Sequence, residues 1–218
     1  MKFKQLILIT GVERSGSTLI SRVLQLCEAN TGQTNKMREN ITLRALSDFV
    51  INDLREGCAM PTYSSMETVL SWEKSVTECL KNQNIPESMP FLYKDSQITQ
   101  LWKLWHNAYP TAKWIIVRRR TGDILNSLHE TAYMVKFKNK KNIERVGATN
   151  EQEAWLWWVH EYENRFRDII ASGVDHRIVW PERMRDGDFE QMKEVVSWCG
   201  LKWNDEVEDL MKLLLNTK

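Results

Sequence analysis

Residues 11–18, with the sequence GVERSGST, have the composition of an anion-binding loop. Gly11 and Gly16 are five positions apart and permit backbone angles that side chains forbid, and an apolar helical pattern begins directly after them. A helix that starts here points its unpaired N–H groups and the positive end of its dipole into the loop. Arg14 adds a guanidinium. Three hydroxyl donors lie in the same loop: Ser15, Ser17 and Thr18. This combination predicts a site for a phosphate or a sulfate ester.

A run of three arginines at residues 118–120 forms a second candidate anion site. It follows an apolar, β-branched run at residues 113–117 and precedes a helical pattern that contains Ser127. Lys94 stands in a similar position, directly after the short apolar run at residues 91–93. Cations at the ends of strands and at the start of helices favour anion binding, although each one alone is weak evidence.

Alternating strands and helices are predicted to position these candidates. Four apolar runs have the length and composition of buried strands, at residues 5–10, 91–93, 113–117 and 176–180. Helical periodicity appears between and after them, at residues 17–27, 41–54, 98–108, 122–128, 149–173 and 189–199. In the longest of these helices, Trp155 and Trp158 are predicted to lie in the core. The alternation predicts an α/β protein with a central parallel sheet flanked by helices, and a ligand site at the carboxyl ends of the strands.

Two segments fit this pattern less well. Residues 58–90 contain a helical pattern at residues 69–81 and then a polar, proline-containing loop, and we interpret them as an insertion or an element on the substrate side. Residues 136–145 are strongly basic and predict a solvated loop. Gly57 is predicted to end the second helix. Since the chain shows no internal repeat and no low-complexity linker, we interpret residues 1–218 as one domain.

Composition limits the possible partners. The 218 residues include 27% charged residues with a net charge of +1, which argues against a protein that binds nucleic acid. The four scattered cysteines form no CxxC pair, so neither a disulfide framework nor a metal site is predicted, and a reducing cytoplasm is the expected compartment. The apolar run near the N-terminus is too short for a signal peptide or a membrane anchor. The sequence does not indicate an oligomeric state.

The first loop differs from the Walker A loop at one decisive position. Its glycine spacing matches GxxxxGK[ST], but Ser17 occupies the position of the lysine, and the cation is Arg14 inside the loop. Nucleoside triphosphatases use that lysine on the terminal phosphates together with magnesium. A P-loop kinase for a small molecule or a nucleotide is therefore an alternative interpretation, and a non-catalytic nucleotide-binding module is another.

Both loops resemble those of the sulfotransferases that use 3′-phosphoadenosine 5′-phosphosulfate (PAPS). Residues 13–18 (ERSGST) are similar to the signature PRSG[ST]T, with glutamate where proline is frequent. Residues 117–123 resemble the signature V-R-[DN]-x-[RK]-D when Arg119 takes the position of its arginine, and Ser127 then matches the serine eight residues later. Residues 94–96 (KDS) are a weaker match to K-D-P. The pattern is most similar to tyrosylprotein and bacterial carbohydrate sulfotransferases.

The resemblance implies a P-loop-like fold and the transfer of a sulfuryl group from PAPS to an acceptor hydroxyl or amine, which leaves adenosine 3′,5′-bisphosphate (PAP). It implies that the cofactor is bound by Gly11, Arg14, Ser15, Gly16, Ser17, Thr18, Arg119 and Ser127. Within this set, Arg119 and Ser127 would hold the 3′-phosphate. Arg14 and the helix N-terminus would stabilise the leaving oxygen, and Lys94 would bind that oxygen or a sulfuryl oxygen.

Glu39 is the predicted general base, because an acceptor hydroxyl must lose its proton to a group within hydrogen-bond reach. In the tyrosylprotein-like branch a glutamate follows the first helix and a loop, and Glu39 resembles it. The alternative is that Glu39 stabilises the dipole of the helix that begins at Ile41, in which case His129 is the reserve candidate. Glu13 lies inside the loop and would repel the cofactor unless its side chain points away. The acceptor itself is predicted only as a small molecule, a carbohydrate or a peptide.

Overall fold

The computed structural model describes residues 3–55, 59–67, 69–83 and 85–216, so the predicted helix end at Gly57 lies outside the described residues. The strands are β1 (Leu6–Gly11), β2 (Phe91–Lys94), β3 (Lys113–Val117) and β4 (His176–Val179). The helices are α1 (Ser17–Leu26), α2 (Ile41–Leu54), α3 (Tyr63–Glu67), α4 (Trp72–Leu80), α5 (Gln97–Gln100), α6 (Trp102–Ala108), α7 (Thr121–Glu130), α8 (Lys140–Arg145), α9 (Glu151–Ala171), α10 (Pro181–Arg185), α11 (Glu190–Trp198) and α12 (Glu206–Asn216).

The four strands form one parallel sheet in the order β2-β1-β3-β4. In its register, Ile9 of β1 is paired with Lys94 at the end of β2, and Gly11 is paired with Val117 at the end of β3. The loops that follow these three strands therefore meet at one edge of the sheet. The predicted α/β class, the parallel sheet and the approximate positions of all four strands are confirmed.

Helices cover both faces of the sheet. Successive residues of β1 point to opposite sides, so they belong to two separate cores. Leu6 and Leu8 belong to a larger core that also contains residues of α2 to α7 and of α9. Ile7 and Ile9 belong to a second core with residues of α1, α10, α11 and α12. The result is a three-layer arrangement with the sheet in the middle.

The long helix α9 begins and packs as its sequence predicts. Asn150 is the N-cap, and its side-chain oxygen accepts a hydrogen bond of 2.9 Å from the backbone N–H of Glu153. The carboxylate of Glu153 accepts in return from the backbone N–H of Thr149 at 2.8 Å. Trp155 and Trp158 are buried, as predicted.

Several helix boundaries differ from the predictions. The predicted helix at residues 69–81 is shorter, with α3 before it, and Trp72, Val76 and Leu80 of α4 are part of the larger core. The predicted helix at residues 98–108 is divided into α5 and α6. The prediction of a solvated loop at residues 136–145 is wrong in part, since Phe137 is fully buried and α8 follows it. Helices α10 and α12 were not predicted.

None of the helices in the described parts of the chain is both long enough and apolar enough to cross a membrane.

Candidate active site

A cavity of about 660 Å³ opens at the carboxyl edge of the sheet. Its lining includes residues of the first loop, of the loop before α2 and of the loop after β3. Seven predicted site residues line it: Arg14, Gly16, Ser17, Thr18, Glu39, Lys94 and Arg119. Three others, Gly11, Ser15 and Ser127, are not in the lining. The structure thus brings the predicted anion-binding loops and the predicted base to one cavity.

The first loop needs glycine at both of its predicted positions. Gly16, the N-cap of α1, has a φ of 95°, and a Cβ atom there would lie 3.0 Å from Cγ of Pro181. A Cβ atom on Gly11 would lie 2.7 Å from the backbone oxygen of Val117. In the part of the chain that the structure describes, the N–H groups of Ser17 and Thr18 have no hydrogen-bond acceptor. These N–H groups are available to an anion at the N-terminus of α1.

Arg14 connects the first loop, residues 11–18, to the second loop, residues 118–120, and to the helix α7 that follows it. Its Nε donates a 2.9 Å hydrogen bond to Oγ of Ser127, and its Nη1 donates a 3.0 Å bond to the hydroxyl of Tyr133. Arg119 donates from Nη1 to the backbone oxygen of Arg14 at 3.0 Å, and its Nε lies 3.4 Å from Oε1 of Glu182. Arg14, Arg119 and Ser127 therefore lie together. The guanidinium of Arg14 contacts the serine predicted for the 3′-phosphate, although its own predicted role is at the leaving oxygen.

The backbone of Arg14 has a φ of 68°, in the left-handed region that non-glycine residues seldom adopt. Such a conformation costs free energy and persists only where the surrounding contacts enforce it. The hydrogen bond from Arg119 to the backbone oxygen of Arg14 is one of these contacts.

The carboxylate of Glu13 is bound by three donors from outside the loop. It accepts from Nε1 of Trp158 at 2.9 Å, from the hydroxyl of Tyr162 at 3.2 Å and from Oγ of Ser96 at 3.1 Å. Because two of these donors belong to α9, Glu13 attaches the first loop to that helix. The sequence held a signal for this contact, since a buried tryptophan and a buried tyrosine at i and i+4 both need a polar partner.

Glu39 and Lys94, which were predicted separately, form a buried ion pair. Lys94 is 4% exposed and Glu39 is 9% exposed, and Nζ of Lys94 lies 3.2 Å from Oε1 of Glu39. Lys94 also donates to the backbone oxygen of Met37 at 3.0 Å. Oε2 of Glu39 accepts from Nδ2 of Asn35 at 3.0 Å and lies 3.3 Å from Nη1 of Arg44. The carboxylate is thus held by donors on both of its oxygens.

The cap of α2 is Asn40 rather than Glu39. The side-chain oxygen of Asn40 accepts a 3.2 Å hydrogen bond from the backbone N–H of Leu43. The carboxylate of Glu39 is directed to Lys94 and Arg44 instead. Its role as a base stays a prediction.

Behind Glu39 lies a second carboxylate that sequence reasoning missed. Asp95 is fully buried, its Oδ1 lies 3.2 Å from Nη1 of Arg44, and its Oδ2 accepts a 2.8 Å bond from the hydroxyl of Tyr93. Burial raises the pKa of Asp95 to about 6, although the guanidinium of Arg44 lowers it, and the charge of Glu39 adds to the increase. Burial lowers the pKa of Arg44, but Asp95 and Glu39 outweigh that effect and raise it.

The reserve candidate for the base, His129, does not line the cavity. No histidine is found among the described residues that line it. His129 is exposed, and its Nδ1 lies 3.9 Å from Oε1 of Glu151. His106 packs beside Trp102, with ring centroids 6.2 Å apart.

Known proteins resemble this chain in sequence and in fold. The model of the sulfotransferase family matches residues 6–205. The crystal structure of sulfotransferase STF9 from Mycobacterium avium is similar with a TM-score of 0.61 and 13% identity, over 99% of this chain and 69% of that chain, which shows a shared fold. That of sulfotransferase STF1 from Mycobacterium tuberculosis H37Rv has a TM-score of 0.48 and 14% identity, over 96% of this chain and 71% of that chain. No curated protein matches the chain. Because the family model covers most of its length, the chain belongs to the sulfotransferase family.

Proposed function

We propose that this protein transfers a sulfuryl group from PAPS to an acceptor hydroxyl or amine. Family membership gives the reaction class, and the donor and the acceptor are the proposal. The observation that carries it is one cavity with two kinds of wall. One wall offers Arg14, Arg119 and the N-terminus of α1 to an anion, and the other offers the carboxylate of Glu39.

The residues present fit PAPS. The N–H groups of Ser17 and Thr18 have no acceptor in the described part of the chain, which suits a phosphate or sulfate oxygen. Arg119, Ser127 and Arg14 lie together, as a bound 3′-phosphate requires. The volume of about 660 Å³ is typical of small-molecule sites. When bound, PAPS supplies a sulfuryl group on a phosphate leaving group.

Glu39 accepts the proton of the acceptor in this proposal. The acceptor oxygen forms its bond to sulfur as the bond between sulfur and the phosphate oxygen breaks, and that phosphate oxygen keeps the electron pair. Lys94 starts in an ion pair with Glu39. Once Glu39 is protonated and neutral, Lys94 has lost its anionic partner, and its charge is available to the leaving oxygen.

Arg14 has one position in the structure and a different one in its predicted role at the leaving oxygen. In the structure its guanidinium is held by Ser127 and Tyr133, on the side proposed for the 3′-phosphate. Its predicted role at the leaving oxygen requires it to exchange these hydroxyls for the ligand.

The experiment that tests the proposal is incubation with PAPS labelled with ³⁵S. The acceptors are 4-nitrophenol, glucosamine, a tyrosine peptide and fractionated extract of the source cell, all in EDTA. We expect label in at least one acceptor. In a separate assay without EDTA we expect no consumption of ATP with magnesium, because Ser17 replaces the Walker lysine. Magnesium-dependent ATP turnover without transfer of label would favour the kinase instead. The cytoplasmic location stays a prediction.

A further inference from the structure

Arg44 lies between two carboxylates that differ in their access to the cavity. Its Nη1 is 3.3 Å from Oε2 of Glu39 and 3.2 Å from Oδ1 of Asp95. Glu39 lines the cavity, whereas Asp95 is fully buried. The Nε of Arg44 lies 3.1 Å from Oδ2 of Asp48, whose side chain is 48% exposed. The guanidinium of Arg44 therefore contacts three carboxylates that differ in exposure: Asp95 is fully buried, Glu39 lines the cavity and Asp48 is half-exposed.

The two oxygens of Glu39 are not equally occupied. Oε2 is approached by Asn35 and Arg44, whereas among the described residues Oε1 is approached by Lys94 alone. A carboxylate oxygen has room for about two hydrogen bonds. Oε1 is thus the oxygen with capacity for a further donor.

Asp95 contacts Arg44 from the buried side and fixes its position. Its Oδ1 also accepts a 2.9 Å hydrogen bond from the backbone N–H of Gln97, and its Oδ2 accepts from the hydroxyl of Tyr93. Tyr93 itself is fully buried and lies 3.4 Å from Oγ of Ser47. Because Gln97 and Tyr93 are both buried, Asp95 has little freedom to move, so it defines where the guanidinium of Arg44 lies.

We propose that Arg44, fixed by Asp95, is a positioning residue for the general base: it holds Oε2 of Glu39 and leaves Oε1 to accept the acceptor's proton. This inference depends on the proposed function, because it assumes that Glu39 is the base. It also requires the charges of Glu39 and Asp95 to be coupled, since the same nitrogen of Arg44 contacts both.

Other charged groups face this pair and bear on any titration. Lys94 contacts Glu39 from β2, and Asp48 contacts Arg44 from α2. Tyr162 of α9 has its pKa raised well above the ordinary value by burial and by Glu13, with a further increase from Asp95. The charged side chains of Glu13, Arg14 and Arg119 line the same cavity.

The first test follows the ionisation of Asp95 by NMR of protein labelled with ¹³C at the side-chain carboxyl of aspartate. Its signal is identified by its loss in Asp95→Asn. In Glu39→Gln we expect the titration of Asp95 to move to lower pH by about one unit, because a nearby negative charge is gone. In Arg44→Gln it moves to higher pH. Asp48→Asn is the matched control, since that carboxylate contacts the same arginine from an exposed position, and the titration of Asp95 stays in place.

The second test separates positioning from binding. With the best acceptor found for ³⁵S-PAPS, Arg44→Gln lowers kcat by about 10- to 100-fold, because a displaced base reacts poorly. PAP affinity measured by calorimetry stays at the parent value. Arg44→Lys, which keeps the charge and is less disruptive to folding, recovers part of kcat. A structural role alone would lower PAP affinity together with kcat, and an acceptor-binding role would raise KM instead.

The two proposals fail in different ways. If Glu39→Gln and Arg44→Gln both leave the titration of Asp95 at the parent pH, the coupling is absent and the positioning proposal is overturned, whatever the turnover. If the titration moves as expected but Glu39→Gln keeps full turnover, the network exists and Glu39 is not the base. That second result overturns the proposed role of Glu39 and with it the role of Arg44.

Discussion

Two cations of the cavity, Arg14 and Lys94, are held in opposite ways, whereas Arg119 lies near a carboxylate, with its Nε 3.4 Å from Oε1 of Glu182. On the wall of the first and second loops, Arg14 is bound by the hydroxyls of Ser127 and Tyr133, and within the described residues it has no carboxylate partner. On the other wall, Lys94 is paired with the carboxylate of Glu39. Exposure differs too, since the side chain of Arg119 is 24% exposed and that of Lys94 is 5% exposed.

This difference indicates which ligand each wall suits. Arg14 has neutral partners and keeps its charge available for an anion, so the first wall suits a multiply charged cofactor. A buried cation that already faces a carboxylate attracts a second anion much less, so the second wall suits a neutral acceptor. Buried ion pairs also contribute little net stability, which makes placement of the carboxylate a better explanation of the second wall than stability.

The substitution Glu39→Gln is expected to have the largest effect, a loss of turnover that comes from the second wall. It keeps the shape of the side chain but removes its ability to take a proton, so we expect turnover of PAPS and acceptor to fall by about two to four orders of magnitude. PAP affinity, measured by calorimetry, is retained because the first wall is intact. The matched control is Glu28→Gln, at an exposed glutamate directly after α1. Turnover within a few-fold of the parent would show that Glu39 is not the base.

The next largest effect concerns the first wall. PAP is expected to raise Tm far more than 5′-AMP does, because only PAP carries the 3′-phosphate proposed to contact Arg119 and Ser127. Arg119→Ala removes a charged hydrogen bond of about 1.5–3 kcal/mol and abolishes the difference between the two ligands. Arg120→Ala, at the exposed neighbouring arginine, is the matched control and keeps the difference. Equal shifts with both ligands in the parent protein would contradict the assignment of the second loop.

Much of the first wall could be predicted from the sequence because it depends on local features. Glycine spacing, a β-branched run before the loop and a helical pattern after it specify the backbone of residues 11–18. The same reasoning found β3, which ends two residues before Arg119. Parallel pairing then brings these loops together at one edge, and that follows from alternation of strands and helices alone.

The second wall depends on contacts between residues far apart in the chain. Arg44 stands on a half-exposed position of α2, and Asp95 was visible only as part of a weak three-residue match. Their contact joins residues 51 positions apart, and no local periodicity signals such a pair. Tyr133 and Glu182 were missed for the same reason, as each is a partner of an arginine from a distant segment.

Glu13→Gln tests whether the first wall is defined by charge or by shape. If charge alone mattered, loss of a negative group from this wall would strengthen PAP binding. We expect binding to weaken by a few-fold instead, because charged hydrogen bonds from Trp158, Tyr162 and Ser96 become neutral ones, a loss of about 1 kcal/mol in loop attachment. Calorimetry with PAP measures the change, with Glu130→Gln at an exposed site as control. Tighter binding would show that the attachment to α9 is unimportant.

The smallest expected effect is a dependence of stability on pH that comes from Asp95. Its pKa is about 6 in the folded protein and near 3.8 in the unfolded chain, so the folded state holds this proton more tightly. The stabilisation from proton uptake is therefore fully present below pH 3.8 and is lost as the pH rises through about 6. Between pH 7 and pH 5 this carboxyl alone should stabilise the fold by roughly 1 kcal/mol. Urea unfolding of the parent and of Asp95→Asn at both pH values isolates the contribution, since the variant lacks this increment whatever its absolute stability. Asp53→Asn, at an exposed position of the same helix as Arg44, keeps it. If the parent and Asp95→Asn respond identically to pH, Asp95 is already ionised at pH 5.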